Sequence, residues 1–125
     1  MAEYVESNFK SFTAGAAIAQ PLRVTLSGGK LAAAGITDKE LGTLRDASFA
    51  DGDVRAVHLR TANGTCKMIA SEAIAVGAAV YTAASGKCSD TAASTSYLIG
   101  TALTEATADG DVIEVLRNAH GDTAN

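Results

Sequence analysis

The chain has 125 residues, 10 basic and 14 acidic side chains for a formal charge of −4, and an apolar fraction of 47% without a tryptophan. That length fits one domain with one modest core, not two, and the alanine-rich apolar fraction makes the core thin enough to gain from oligomerisation. No Lys/Arg cluster supplies the footprint that a phosphate backbone requires, so nucleic acid is excluded as an expected partner.

The first twenty residues, MAEYVESNFKSFTAGAAIAQ, carry Glu3, Glu6 and Lys10 where a secretory signal needs a basic start and an apolar run. Three of the six aromatics, Tyr4, Phe9 and Phe12, fall here among polar residues with no regular period. Residues 1–20 are therefore expected to form an extended arm outside the folded domain, with those aromatics as interface anchors. Pro21 stands at the entry to the first strand, a position that tolerates it.

From there the chain reads as all-β, with short apolar runs punctuated by glycine. Leu22, Val24 and Leu26 alternate with Arg23 and Thr25, the period of a half-buried strand. Ser27-Gly28-Gly29 turns the chain into a returning strand at 30–34. ITDKELGTL, residues 36–44, has some helical character, since Thr37 could cap a turn with Glu40 three residues on, but Gly42 and Thr43 interrupt it. Asn63-Gly64 predicts a hairpin between strands at 53–60 and 65–70, with Cys66, Met68 and Ala70 on one face and Thr65 and Lys67 on the other. Further strands are expected at 78–83, 96–103 and 112–117, followed by a flexible polar tail over 119–125. The β domain thus spans 21–118. The longest apolar stretch, 73–81, is broken by Gly77 and too short for the ~20 residues that span a bilayer. No membrane partner is expected, and the protein is expected to be soluble and made in the cytoplasm.

An internal repeat organises this pattern. LGTLRDASFADGDV at 41–54 aligns without a gap onto IGTALTEATADGDV at 99–112, an offset of 58 residues. Each copy joins an apolar Gly-Thr strand to an Asp-Gly-Asp turn and an outgoing strand. Gly52 and Gly110 suit a positive-φ position, and Asp51, Asp53, Asp109 and Asp111 can bond turn amides. A pseudo-symmetric barrel or sandwich follows.

Chemistry is hard to place on this frame. The paired carboxylates lack the alternating ligands and closing Glu of a calcium loop. Cys66 and Cys88 match no zinc spacing and, in a reducing cytosol, are expected to be buried free thiols. SGGK at 27–30 lacks the first glycine of a P-loop, and no GxGxxG or GxSxG occurs. Asn63-Gly64-Thr65 is formally a glycosylation sequon, but its turn role fits better. His58 on a strand and His120 in the tail suggest no catalytic base. No enzyme, metal or cofactor is expected.

The segment AIAVGAAVYTAASGKCS with YLIGTALTEATADGDVIEVLR, within 72–117, resembles the C-terminal half of tailed-bacteriophage capsid cement, or head decoration, proteins. The shared features are Gly77 to Tyr81, the Gly86-Lys87 hairpin, the Ile99 to Leu103 strand, and Gly110-Asp111 followed by Val115. FTAGAAI at 12–18, the hairpin at 27–30 and Gly-Asp-Val at 52–54 extend the likeness to 12–116, with Leu41-Gly42-Thr43 departing from the usual Ile-Gly-Val run. The resemblance implies a small β-barrel or β-sandwich of β-tulip type without catalysis. It implies a homotrimer on the outer surface of the head, with the major capsid protein as partner, assembled in the host cytoplasm. Tyr4, Phe9 and Phe12 would then be capsid or subunit contacts. A virion-associated carbohydrate-binding β-sandwich or a tail component is the competing reading, weakened by the scarcity of aromatics outside the first twelve residues.

Overall fold

The computed structural model describes residues 8–61, 64–117 and 123–124. Among them every regular element is a strand except one turn of 3-10 helix, Ala84–Gly86. β1 (Phe9–Thr13), β2 (Arg23–Ser27), β3 (Lys30–Ala33), β4 (Gly42–Leu44) and β5 (Val54–Leu59) form an antiparallel sheet in the order β1-β5-β4-β2-β3. β6 (Cys66–Ile69), β7 (Ala79–Thr82), β8 (Cys88–Ser89), β9 (Tyr97–Ala102) and β10 (Val112–Arg117) form a second in the order β6-β10-β9-β7-β8. The two-residue β11 (Thr123–Ala124) lies beside β9. The fold is all-β, built of two antiparallel sheets.

Raising every strand number of the first order by five gives the second. Residue pairing keeps step with this. Thr43 stands opposite His58 and Leu44 opposite Val57, while Thr101 stands opposite Leu116 and Ala102 opposite Val115, each partner 58 residues further on. At the edge strands Thr13 faces Val54 as Ile69 faces Val112.

Each sheet buries its own apolar cluster. Ala14, Ile18, Val24, Leu31, Leu44 and Val57 fill the first, with Phe12 and Leu22 packed against it. Met68, Ile74, Val80, Ile99, Ile113 and Val115 lead the second, which also holds Cys66 and Cys88. The strand β10 shows why such short segments suffice: Ile113 and Val115 point inward while Val112, Glu114 and Leu116 stay exposed, a period-2 division. The expectation of one core is corrected here. Splitting the apolar residues between two small sheets leaves each thin, and a polar staple joins them.

That staple is Arg23. Its side chain is wholly buried although β2 points it away from the first core, because the second sheet covers that face. Its Nε donates to the Lys87 carbonyl at 2.9 Å and Nη2 to the Ala83 carbonyl at 2.7 Å, both beyond β7. Within the first half, Nη2 also reaches the Gly35 carbonyl at 3.1 Å and Nη1 the Glu40 carboxylate at 3.3 Å. From the other side, Arg117 Nη1 donates to the Leu59 carbonyl at 3.0 Å. A buried guanidinium satisfied by carbonyls and a carboxylate is held in one geometry, since any displacement leaves a charge unpaired in a low dielectric.

Two further expectations change. Residues 8–20 are not an arm outside the sheet, because β1 pairs with β5 from Phe9↔His58 to Thr13↔Val54 and Ala14 is fully buried. β5 and β6 are not partners in a hairpin around 63–64: β5 pairs with β1 and β4, β6 with β10, so the chain between them leads from one sheet to the other. Asn63 itself lies outside the described residues. At residues 36–44 the interruption read at Gly42 and Thr43 holds: no helix forms, and Gly42–Leu44 is a strand between β2 and β5.

Candidate interface

The Asp-Gly-Asp turns are built alike. Gly52 and Gly110 both have φ +98°, a conformation glycine adopts without strain. Asp53 Oδ2 accepts from the Phe49 and Ala50 amides at 2.9 and 3.2 Å. Asp111 Oδ2 accepts from the Thr107 and Ala108 amides at 2.8 and 3.3 Å and from the Thr107 hydroxyl. Those amide bonds, led by the ones from Phe49 and Thr107, hold both carboxyls below the ordinary aspartate range. Asp51 and Asp109 point outward to Lys30 and Lys87 at 2.9 and 2.8 Å. With one carboxylate of each pair bound to the turn and the other to a lysine, the turns are occupied by the chain itself. Among the described residues no three His, Cys, Asp or Glu side chains group to hold a metal.

These turns carry exposed apolar groups. Phe49 is 78% exposed, and Val54, immediately after the first turn, is 60% exposed. Val112, the residue matching Val54 in the second copy, is likewise exposed. The outer face of the second sheet adds Leu116, and Val76 and Leu103 lie exposed near the loop where the Gly77 amide meets the Ala102 carbonyl. Scattered single apolar residues are ordinary on a surface, but a ring held out on a turn braced by its own amide is suited to enter a partner's pocket.

The aromatics expected as anchors fare differently. Phe9 and Phe12 share β1 but lie on opposite faces. Phe12 packs against the first core with Lys10 5.7 Å from its ring centre. Phe9 stacks on His58, centroids 4.9 Å apart, under the Arg45 guanidinium at 4.8 Å. They line no common surface. Tyr4 lies outside the described residues.

Phe9, Arg45 and His58 form one wall of a groove of about 740 Å³, facing Thr65, Lys67 and Glu114 from the second half. Burial, and secondarily Arg117, depresses the His58 pKa, which keeps the ring neutral near pH 7. The groove is an open cleft between the sheets, and Cys66 in its lining is buried, which pushes its thiol up and so keeps it protonated.

Phe49 and Arg23 were the residues the sequence hid. Phe49 sits in the repeat opposite Thr107, so only its mismatch with the second copy could have singled it out. Arg23 occupies an apparently outward strand position, and nothing local says that the second sheet covers it.

No curated protein matches the chain. The phage cement protein family matches residues 6–117, a span that takes in both sheets and the segment between them. With that much of the chain covered, it belongs to the phage cement protein family, a structural family of the phage capsid.

Proposed function

We propose that this protein decorates the outer surface of a tailed-phage head and reinforces the capsid lattice, acting as a homotrimer bound to the major capsid protein. The family match across 6–117 carries the reading. The exposed Phe49 and Val54 supply apolar contact area on a rigid turn, and Tyr4 is a further candidate contact. Each subunit contributes a modest contact, and tying three together makes the second and third contacts effectively intramolecular. The two thin cores fit a subunit that gains stability by association.

The test is co-sedimentation of the purified protein with capsids that lack it, followed by heating. Saturable binding and a higher temperature of DNA release are expected. Absence of binding to capsids, or immunogold labelling of tails instead of heads, overturns the reading.

A further inference from the structure

The two β-hairpins β2–β3 and β7–β8 have matching tips but unequal surroundings. Gly28 and Gly29 have φ +60° and +81°; Ser85 and Gly86, in the corresponding tip, have φ +60° and +76°. Lys30 follows the first tip and bridges to Asp51; Lys87 follows the second and bridges to Asp109. The first tip is one residue shorter, since Leu26 and Lys30 correspond to Thr82 and Lys87.

The second tip is seated in a socket on the first half. The Gly86 amide donates to the Ala34 carbonyl at 2.7 Å, the Thr82 hydroxyl to the Ile36 carbonyl at 2.7 Å, and the Lys87 carbonyl accepts from Arg23. A Cβ placed on Gly86 would stand 3.1 Å from the Leu22 Cβ. The glycines of the first tip are uncovered by any described residue: Cβ atoms placed on Gly28 and Gly29 meet no described atom within 4 Å, and Leu26 is 46% exposed.

Part of the socket is also present twice. By strand register Arg23 corresponds to Ala79 and Leu22 to Ala78; beyond Ser89 the halves diverge, the Thr91 amide bonding Ser89 Oγ where the Ala34 amide bonds the Arg23 carbonyl. In the first half Arg23 is fully buried beneath the second tip; in the second half Ala79 is exposed. One tip and one socket are therefore joined inside the chain, and one of each is left open. A contact that joins unlike surfaces in this way is heterologous, and repetition between copies closes a ring or runs on as a filament.

We propose that the open tip at 27–30 of one copy docks onto the open strand face around Ala78 and Ala79 of a second copy, repeating between chains the contact that joins the two sheets within one. The changed side chains agree with such pairing. Where the internal joint sets polar Thr82 against a socket containing Arg23, the open pair sets Leu26 against a socket containing Ala79, apolar on both sides.

This rests on the self-association proposed above and assigns the surfaces that make it. The test pairs Gly29→Cys with Ala78→Cys in one chain, matching the 3.1 Å approach of the internal joint, with Ala79→Asp as a second variant at an exposed position. Far-UV circular dichroism checks that each folds, and the purified protein is read by sedimentation and non-reducing electrophoresis, free and on capsids. Expected are covalent multimers only when both cysteines are present, and self-association at least tenfold weaker in Ala79→Asp. Trimers that persist in Ala79→Asp and never crosslink overturn the surface assignment alone. A chain that stays monomeric in solution and on capsids overturns both proposals.

Discussion

Gly42 and Gly100 occupy the same place in the two sheets, each pressed against the backbone of its neighbouring strand. A Cβ on Gly42 would collide with the His58 carbonyl oxygen and stand 2.8 Å from Val57 Cγ1; one on Gly100 would collide with the Leu116 carbonyl oxygen. His58 and Leu116 are themselves 58 residues apart, so the shared Gly-Thr of the sequence repeat marks a close crossing of β4 on β5 and of β9 on β10.

Gly42→Ala and Gly100→Ala are each expected to lower stability by at least about 2 kcal/mol, because backbone on the neighbouring strand cannot step aside as a side-chain tip can. Urea unfolding checks this. Gly35→Ala, whose added Cβ meets only the Asp38 carboxylate at an ordinary 3.4 Å, should stay within about 0.5 kcal/mol of the parent. Equal losses at all three positions would show that general glycine replacement, and not strand crossing, sets the cost.

The buried staple gives a second prediction. Arg23→Met leaves the Glu40 carboxylate, fully buried, without its cation, and several carbonyls without their donor. A loss of about 3–5 kcal/mol is expected. The double variant Arg23→Met with Glu40→Leu should recover much of it, since the desolvated charge is removed from both sides. A double-mutant cycle by urea unfolding measures the coupling, and additive losses would contradict it.

These two features also divide what the sequence could tell from what it could not. The Gly-Thr strands, the Asp-Gly-Asp turns and the SGG hairpin were readable because local turn chemistry and period-2 alternation act over a few residues. The outgoing strand β10 and the buried Cys66, Met68 and Ala70 were readable for the same reason. β1 was not. Phe9 and Phe12 are three apart and so serve two faces, one a groove and one a core, which destroys the alternation that betrays a strand. The Asn63-Gly64 signal misled as to pairing, since the strands on either side of it belong to different sheets. Arg23 looked solvent-facing because only the long-range docking of the second sheet buries it, and no local rule reports that.

The cysteines give a pH-dependent prediction. Both are buried and free. Burial pushes Cys88 up to about 12, against an opposing pull from Arg23, and raises Cys66 as well. Neither should react with an alkylating reagent at pH 8 in the folded protein, and both should react after unfolding in urea without reductant, giving two adducts by intact mass. Since the unfolded thiols ionise near pH 9 while the folded ones hold their protons, the unfolded state binds fewer protons above that pH. Their contribution to stability is complete below pH 9 and is lost as pH rises toward about 12. Unfolding midpoints at pH 7.5 and 10.5 should therefore differ less in Cys88→Ala than in the parent. A parent protein with no alkaline loss would contradict the assignment.

The last prediction concerns where the capsid contact lies. Among the described residues Phe49 is the most exposed of the large apolar side chains, at 78%, yet its amide is tied to Asp53, so the ring projects from a fixed turn and little entropy remains to be lost on docking. Phe49→Ser removes no buried contact and should leave unfolding within about 0.5 kcal/mol of the parent. Its affinity for capsids should fall tenfold or more, as truncating an anchoring aromatic does. Thr107→Ser, at the matching turn, should change neither. Truncation sharpens the comparison. Removing residues 2–7 spares β1 and should leave a folded protein, whereas removing 2–15 takes away β1 and the fully buried Ala14, exposing the first core along β5. The longer deletion should therefore fail to fold, and its loss of binding would say nothing about anchoring. If Phe49→Ser decorates capsids with unchanged affinity while the 2–7 deletion abolishes decoration, the anchor is in the first seven residues, with Tyr4 its aromatic, and not on the turn.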